Sequence, residues 1–338
     1  MATIKQVAEL AGVGTSTVSR YLNASGYISE EAKEKIKNAC DQLDYMPNEL
    51  ARAMKSNHSK TIGVMIPTIC NPFFTELVHI IEQNLLKQGY KTVLCNTNGD
   101  IDLERNYLNM AISNCFDGII LITGSHEFME LKTDIPIILL DRINEDDLNY
   151  ITLTSNNKQG AMLATEHLIS CGCKKILYIS SNEQIIPAKI REDMFLETAV
   201  KHNVSYAIRK QTDIDSETLK EMIEDGVDGI FAWNDLTAIR CIGSLSALGI
   251  LVPDQVQVIG YDNIDIAEFV HPKLTTIAQP LAELATKASE YIVRLIDKTI
   301  APPINIQLDN TLIIRQSTKE CNSKVKVLSK EHLEINKR

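Results

Sequence analysis

The sequence predicts two unlike parts in tandem. An N-terminal all-α helix-turn-helix headpiece with a short hinge helix comes first. An α/β body of two lobes follows, each lobe a doubly wound parallel sheet. Three observations carry this. Residues 12–23 read G-V-G-T-S-T-V-S-R-Y-L-N, a glycine-flanked turn running into an amphipathic helix. From Thr61 onward, short apolar runs alternate with stretches of helical period. At 338 residues the chain exceeds what one ordinary core organises.

The headpiece is expected over residues 1–46. Thr3 and Gln6 have the spacing of a capping box, the hydroxyl and the amide side chain each reaching the other's backbone. Ile4, Val7, Ala8 and Ala11 then share a helical face, and Gly12 supplies the left-handed residue that ends the helix. Val13 reads as a buried plug. The second helix, Thr15 to Leu22, turns Val18 and Leu22 inward and leaves Thr15, Ser16, Ser19 and Arg20 outside. Ser29 caps a third helix, whose first turn carries Glu30 and Glu31 and whose apolar stripe is Ile36, Cys40 and Leu43. Three such helices make one small core, and in this motif the second enters a DNA groove. Arg20 can donate twice to O6 and N7 of guanine. Thr15 and Ser16 suit base edges or phosphates, though a solvated helix surface would carry the same residues.

Residues 47–60 read as a hinge helix and linker. Pro47 and Asn48 open a helix of about two turns, too short to stand alone in water. Leu50, Ala51 and Met54 give it an apolar side that needs a partner. A twin helix and a widened minor groove would supply one, with Met54 as the wedge; a plain linker is the alternative.

Composition sets the outer limits. The net charge of −10 argues against nucleic acid only on average, because residues 1–60 are near neutral and the excess acid lies downstream. The N-terminus lacks an export signal and no apolar run could span a bilayer, which predicts a cytoplasmic protein with no membrane partner. The 8 cysteines are scattered, with only Cys171 and Cys173 close, and read as idle or buried thiols rather than a metal or disulfide site. No Walker loop, G-x-G-x-x-G after a strand, G-x-S-x-G or H-E-x-x-H occurs, so neither an enzyme nor a cofactor is expected.

The body is expected over residues 61–318. T-I-G-V-M-I-P is a buried strand; a helix runs from Pro72 to Gln88; strands K-T-V-L-C-N, D-G-I-I-L-I-T and P-I-I-L-L-D follow, with a helix from Asp102 between them. A helix over residues 156–170 leads to a second unit: K-K-I-L-Y-I-S, a helix through Arg191, a strand near Tyr206, a helix near Asp215, D-G-I-F-A-W, a helix from Asn234 and V-Q-V-I-G-Y-D. T-T-I-A-Q-P then passes into a helix over residues 281–297. Ligands bind beyond the carboxyl ends of such strands, here between the lobes. The residues at those ends are Asn71-Pro72-Phe73-Phe74, Asp141-Arg142, Asn234-Asp235 and Asp262-Asn263, and Trp233 precedes Asn234. Aromatic faces with Asp, Asn and Arg suit a sugar, while each Asp or Asn is also an ordinary cap or turn former.

The head resembles the lac-repressor/gal-repressor family of bacterial transcription regulators. The matching stretches are T-I-K-Q-V-A, G-V-G-T-S-T-V-S-R-Y-L-N, G-Y-I-S and Y-M-P-N-E-L-A-R-A-M, and the resemblance runs to near Thr318. It implies a periplasmic-binding-protein-like body and a ligand-responsive repressor of a carbohydrate-utilisation operon, binding a palindromic operator as a homodimer. It implies base reading by Thr15, Ser16 and Arg20, phosphate contacts by Asn23 and Ser29, and a hinge helix with Leu50, Ala51 and Met54. It further implies effector contacts at Asp141, Arg191, Asn234 and Asp262, with Phe73 or Phe74 in the pocket and Gln279 at the crossover. Gly14 stands where the family usually has serine, and Met54 where it has leucine. Met194 replaces a usual glycine, with the expectation that it narrows the cleft or shifts its helix. A sugar or sugar phosphate is the expected effector; a nucleobase or nucleoside, or control by a phosphocarrier protein, is the alternative. A sugar-binding protein without DNA function would share the body alone. Residues 319–338 lack sustained heptads and read as a disordered tail, which favours a dimer.

Overall fold

The computed structural model describes residues 2–22, 25–46, 58–124, 133–143, 149–183 and 185–320. The chain divides into two compact units between Ser59 and Lys60. Asn23, the hinge residues Leu50, Ala51 and Met54, and the tail beyond Glu320 lie outside the described residues.

The N-terminal unit is three helices, α1 (Ile4–Ala11), α2 (Thr15–Leu22) and α3 (Glu30–Gln42). The capping box closes: Thr3 N donates to Gln6 Oε1 at 2.8 Å and Gln6 N to Thr3 Oγ1 at 3.4 Å. Gly12 is left-handed at φ +64°. Ser29 Oγ accepts from Ala32 N at 3.3 Å and starts α3. The core is Val7, Ala8, Ala11, Val18, Ile36 and Ala39. Val13, Leu22, Cys40 and Leu43 are only partly buried against it. Val13 is thus a rim residue rather than a plug, because α1 and α2 are too short to enclose the turn that joins them. Ala39, small and central on α3, takes the buried place expected of Cys40.

The body holds two six-stranded sheets. The first lobe contributes β1 (Thr61–Ile66), β2 (Lys91–Asn96), β3 (Gly118–Leu121), β4 (Ile137–Leu140) and β5 (Ile151–Ser155), with α4 (Pro72–Lys87) and α5 (Ile101–Ser113). The second contributes α6 (Asn157–Ser170), β6 (Lys175–Ser180), α7 (Ile186–Lys201), β7 (Ser205–Lys210), α8 (Ser216–Glu224), β8 (Gly229–Ala232), α9 (Asp235–Ala247), β9 (Gln257–Asp262) and β10 (Thr275–Ala278). The chain then returns to the first lobe with α10 (Leu281–Ile296) and β11 (Ile304–Leu308), and ends in the second with β12 (Thr311–Ile313). The sheet orders are β11-β5-β4-β3-β1-β2 and β12-β10-β9-β8-β6-β7. All recorded pairings are parallel except β10 with β12.

Central strands β1, β3, β8 and β9 are buried along their whole length, as expected for sheets covered on both faces. Edge strands β2 and β7 carry lysines and expose much of their length. The chain passes between lobes three times: after Ser155, at Gln279-Pro280 and at Asp309-Asn310. Strands β5, β10, β11 and β12, which frame these crossovers, were not read as strands from periodicity. Burial alternates along β11 and β12, and β5 is buried almost throughout but interleaves Thr and Ser with its apolar residues.

Candidate functional site

The headpiece presents a polar helix face. Gly14 O accepts from Thr17 N at 2.9 Å and Val18 N at 3.2 Å, so Gly14 occupies the cap of α2 without offering a side-chain oxygen. Val18 is wholly buried and anchors the helix, while Thr15, Ser16 and Arg20 are exposed along its other side. Ser29 is exposed too, with its hydroxyl hydrogen still available for donation while the oxygen caps α3. A helix with a free N-terminus, two short hydroxyl side chains in its first turn and an arginine one turn later can read base edges and phosphates.

In the body, the carboxyl ends of the strands converge on a cleft of about 330 Å³. Its walls come from both lobes: Asn71, Phe74 and Arg142 from the first, Asn182, Gln211 and Trp233-Asn234 from the second. The size lies in the usual range of about 300–1,000 Å³ for small-molecule sites. Phe74 and Trp233 give apolar faces, and the rest of this set is polar. Asn234 Oδ1 accepts from Thr237 N at 2.9 Å, so it caps α9 as well as lining the cleft. Trp233 Nε1 donates to Gln211 Oε1 at 2.9 Å, which fixes the indole. Arg142 reaches across the mouth, its Nη1 4.0 Å from Glu183 Oε2 of the second lobe and its guanidinium 5.6 Å from the Phe74 ring centroid.

Behind this lining lies a buried charge cluster. Arg191 is 3 % exposed, Asp262 5 % and Asp141 8 %. Arg191 Nε donates to Asn157 Oδ1 at 2.8 Å and Nη1 to the Trp233 carbonyl at 2.8 Å. Its Nη1 stands 3.7 Å from Asp262 Oδ1, and its guanidinium lies 3.6 Å from the Tyr261 ring centroid. Gln279 Nε2 donates to Asp262 Oδ1 at 2.8 Å and Gln279 Oε1 accepts from Ser155 Oγ. Burial pushes the Asp262 carboxyl up to about 7, against the pull of Arg191 and the Gln279 hydrogen bond. Burial raises Asp141 as well, opposed by Arg191 and Arg142. Asp141 Oδ1 and Arg142 Nε are buried with no hydrogen-bond partner. Such orphaned atoms carry a desolvation cost that a polar ligand can relieve. Asp141 also lines a second cavity of about 360 Å³ with Asn157, Asn305 and Gln307, on the crossover side.

The structure therefore brings together Asp141, Arg191, Asp262 and Gln279 as one network, and places Phe74 and Asn234 on the cleft wall. Phe73 does not reach the cleft. It lies in the first lobe's core together with Phe74, whose ring it meets edge-on at 5.1 Å, and of the two Phe74 borders the cleft. Met194 does not line the cleft either; it is partly buried against the second lobe's core. Sequence reasoning named Arg142 among the strand-end residues without giving it a contact, and it missed Asn157. The strand-end position was the signal for Arg142. Asn157 carried none, since its part depends on contacts with Arg191 and Tyr261, 34 and 104 residues away. Among the described residues no group of His, Cys, Asp or Glu is placed to hold a metal ion, and no helix is long and apolar enough to cross a membrane.

Comparison with known proteins agrees with this architecture. Residues 3–48 match the model for bacterial regulatory proteins, lacI family, and residues 165–318 match that for a periplasmic binding protein-like domain. A ribose operon repressor of Halalkalibacterium halodurans is 35% identical over 94% of this chain and 98% of its own. The repressor PurR of Photobacterium profundum is 34% identical, covering 95% and 100%. A solved periplasmic binding protein/LacI transcriptional regulator from Alkaliphilus metalliredigens, complexed with D-xylulofuranose, is 32% identical at a TM-score of 0.70, covering 77% of this chain and all of its own.

Proposed function

The chain belongs to the lacI family of bacterial regulatory proteins, and from that premise we propose that it is a repressor of a carbohydrate-utilisation operon whose effector is a pentose. The observation that carries the effector reading is the juxtaposition of two buried carboxylates, Asp141 and Asp262, with buried Arg191 beside a polar two-lobe cleft. Carboxylates accept from sugar hydroxyls and an arginine donates to them, so the set reads several hydroxyls at once. The ribose operon repressor and the xylulofuranose complex among its relatives support a five-carbon sugar.

In the proposed mechanism, two copies pair through their bodies and set two α2 helices into successive major grooves of a near-palindromic operator. Thr15, Ser16 and Arg20 read bases, and Asn23 and Ser29 hold phosphates. Hinge helices bearing Leu50, Ala51 and Met54 wedge the central minor groove and bend it. A sugar between the lobes changes their angle and with it the affinity for DNA; the linkage is reciprocal. Phe269, Ile266 and Leu251 stand exposed on the second lobe, apolar side chains that pairing would cover. The work of the chain is binding, with no chemical step.

Thermal unfolding against D-ribose, D-xylulose, other sugars, sugar phosphates, purines and nucleosides tests the effector. A ligand at about 100 times its Kd stabilises the native state by about 2.7 kcal/mol. A shift with pentoses alone supports the proposal. A shift with a purine alone would favour a nucleobase regulator, a reading that the PurR relative and the Phe74 and Trp233 walls also support. No shift with any compound would favour a phosphocarrier partner.

A further inference from the structure

Arg191 faces the carboxylates Asp141 and Asp262, and one of its fixing contacts ties it to the crossovers. Its Nε bonds Asn157 Oδ1, and Asn157 is the first residue of α6, just past the first crossover. The Tyr261 hydroxyl donates to the same Asn157 Oδ1 at 3.4 Å and accepts from Asn310 Nδ2 at 2.7 Å. Asn310 lies in the third crossover, where its Nδ2 also donates to the Asn156 carbonyl at 2.8 Å in the first. Its backbone is locked to Gln159 in both directions. The second crossover joins through Gln279, between Ser155 and Asp262. Each crossover thus bonds either to the Arg191–Asp262 pair or to Tyr261, which lies between them. The packing leaves little slack: a Cβ on Gly160 would stand 2.3 Å from the Tyr261 hydroxyl and 2.7 Å from Asn310 Nδ2.

Resting on the reading of this cleft as the effector site, we propose that Tyr261 and Asn157 are positioning residues through which the orientation of Arg191 sets all three crossovers together. A ligand that takes a hydrogen bond from Arg191 or gives one to Asp262 shifts the balance at Asn157 and Gln279. Asn157 and Gln279 both bond Ser155 at the first crossover, and Asn157 reaches Asn310 in the third through the Tyr261 hydroxyl. A buried polar network responds as a unit, because leaving any one member unsatisfied is costly. Tyr261 acts in two separable ways. Its ring supports the guanidinium from below, and its hydroxyl carries the link to Asn310.

Tyr261→Phe keeps the ring and removes the link. Hydrogen exchange read by mass spectrometry on the full chain, with and without D-ribose, separates the two. In the unaltered protein the sugar should slow exchange at the Arg191 peptide and at all three crossover peptides. In Tyr261→Phe, D-ribose should still protect the Arg191 peptide, with affinity reduced by less than about fivefold, the scale of one net hydrogen bond. Protection at the three crossovers should fall together. Asn310→Ala should lower that protection at least as much, since it also removes the bond to the Asn156 carbonyl, and the double variant should do no more than Asn310→Ala alone. Crossovers protected as in the unaltered protein would overturn the proposal. So would a loss of protection everywhere with a lowered melting temperature, which is the mark of a merely structural tyrosine. If the unaltered protein shows no protection by D-ribose or D-xylulose, the pentose reading fails. The link is then judged without ligand: Tyr261→Phe must speed exchange at all three crossovers, and acceleration confined to β9 would overturn it.

Discussion

Arg20 and Asp262 are the residues on which the two ends of the account turn. Arg20 is exposed on α2 one turn past Thr15 and Ser16, so the helix fold does not depend on it. Arg20→Ala should cost about 1–3 kcal/mol on the preferred sequence and relax one base position, in titrations against single-base operator variants. Equal weakening on every sequence would make Arg20 a phosphate contact instead. Asp262 links the site to pH. Its carboxyl, usually near 3.8, is pushed to about 7 by burial. The folded chain therefore holds a proton that the unfolded chain has released anywhere between those values. Its contribution to stability is full below the lower value, declines as pH rises through the window and is flat above the upper one. Sugar binding runs the other way, since the ionised carboxylate accepts hydroxyl hydrogen bonds more strongly. Pentose affinity should climb as pH rises through about 7, and Asp262→Asn should flatten both profiles in calorimetry and urea titrations.

At the scale of elements, two helical glycines make opposed predictions. Gly160 in α6 faces Tyr261 and Asn310 at clashing distance, whereas an added Cβ at Gly243 in α9 meets nothing within 4 Å. Gly243→Ala should gain about 1 kcal/mol from helix propensity. Gly160→Ala should lose about 1–3 kcal/mol because overpacking outweighs that gain; thermal melts of the two variants decide. The same helices show what the sequence could disclose. The Thr3–Gln6 box, the Gly12 stop and the Ser29 cap are local, so spacing alone reveals them. The runs T-I-G-V-M-I and Q-V-I-G-Y-D are apolar because both sheet faces are covered. The crossover strands were not legible, because β5, β11 and β12 are short, polar and defined by pairing across long separations, such as Ile151 with Ile304. For the same reason Asp141, Arg191 and Asp262 were legible as strand-end or helix-start residues, and their meeting in one buried network was not. Phe73 and Phe74 are adjacent and both buried, and no sequence pattern says which one also borders the cleft.

The whole molecule joins a DNA-reading unit to a sugar-sized cleft through a segment proposed to fold on DNA. Met54→Lys should abolish bending in a gel-phasing assay while leaving the body folded, because a charged tip cannot wedge between stacked bases. Unchanged bending would remove Met54 from the mechanism. Phe269→Glu should move the protein toward monomer in sedimentation, and an unchanged species would place pairing elsewhere. The central claim is that one ligand in the cleft governs the DNA affinity of the head. The most direct measurement titrates the intact protein onto a duplex selected from a random library, at fixed salt, with and without saturating D-ribose or D-xylulose. With the effective pentose the DNA affinity should change by about 5–150-fold. A pentose that binds the protein and leaves the DNA affinity unaltered would contradict the claim.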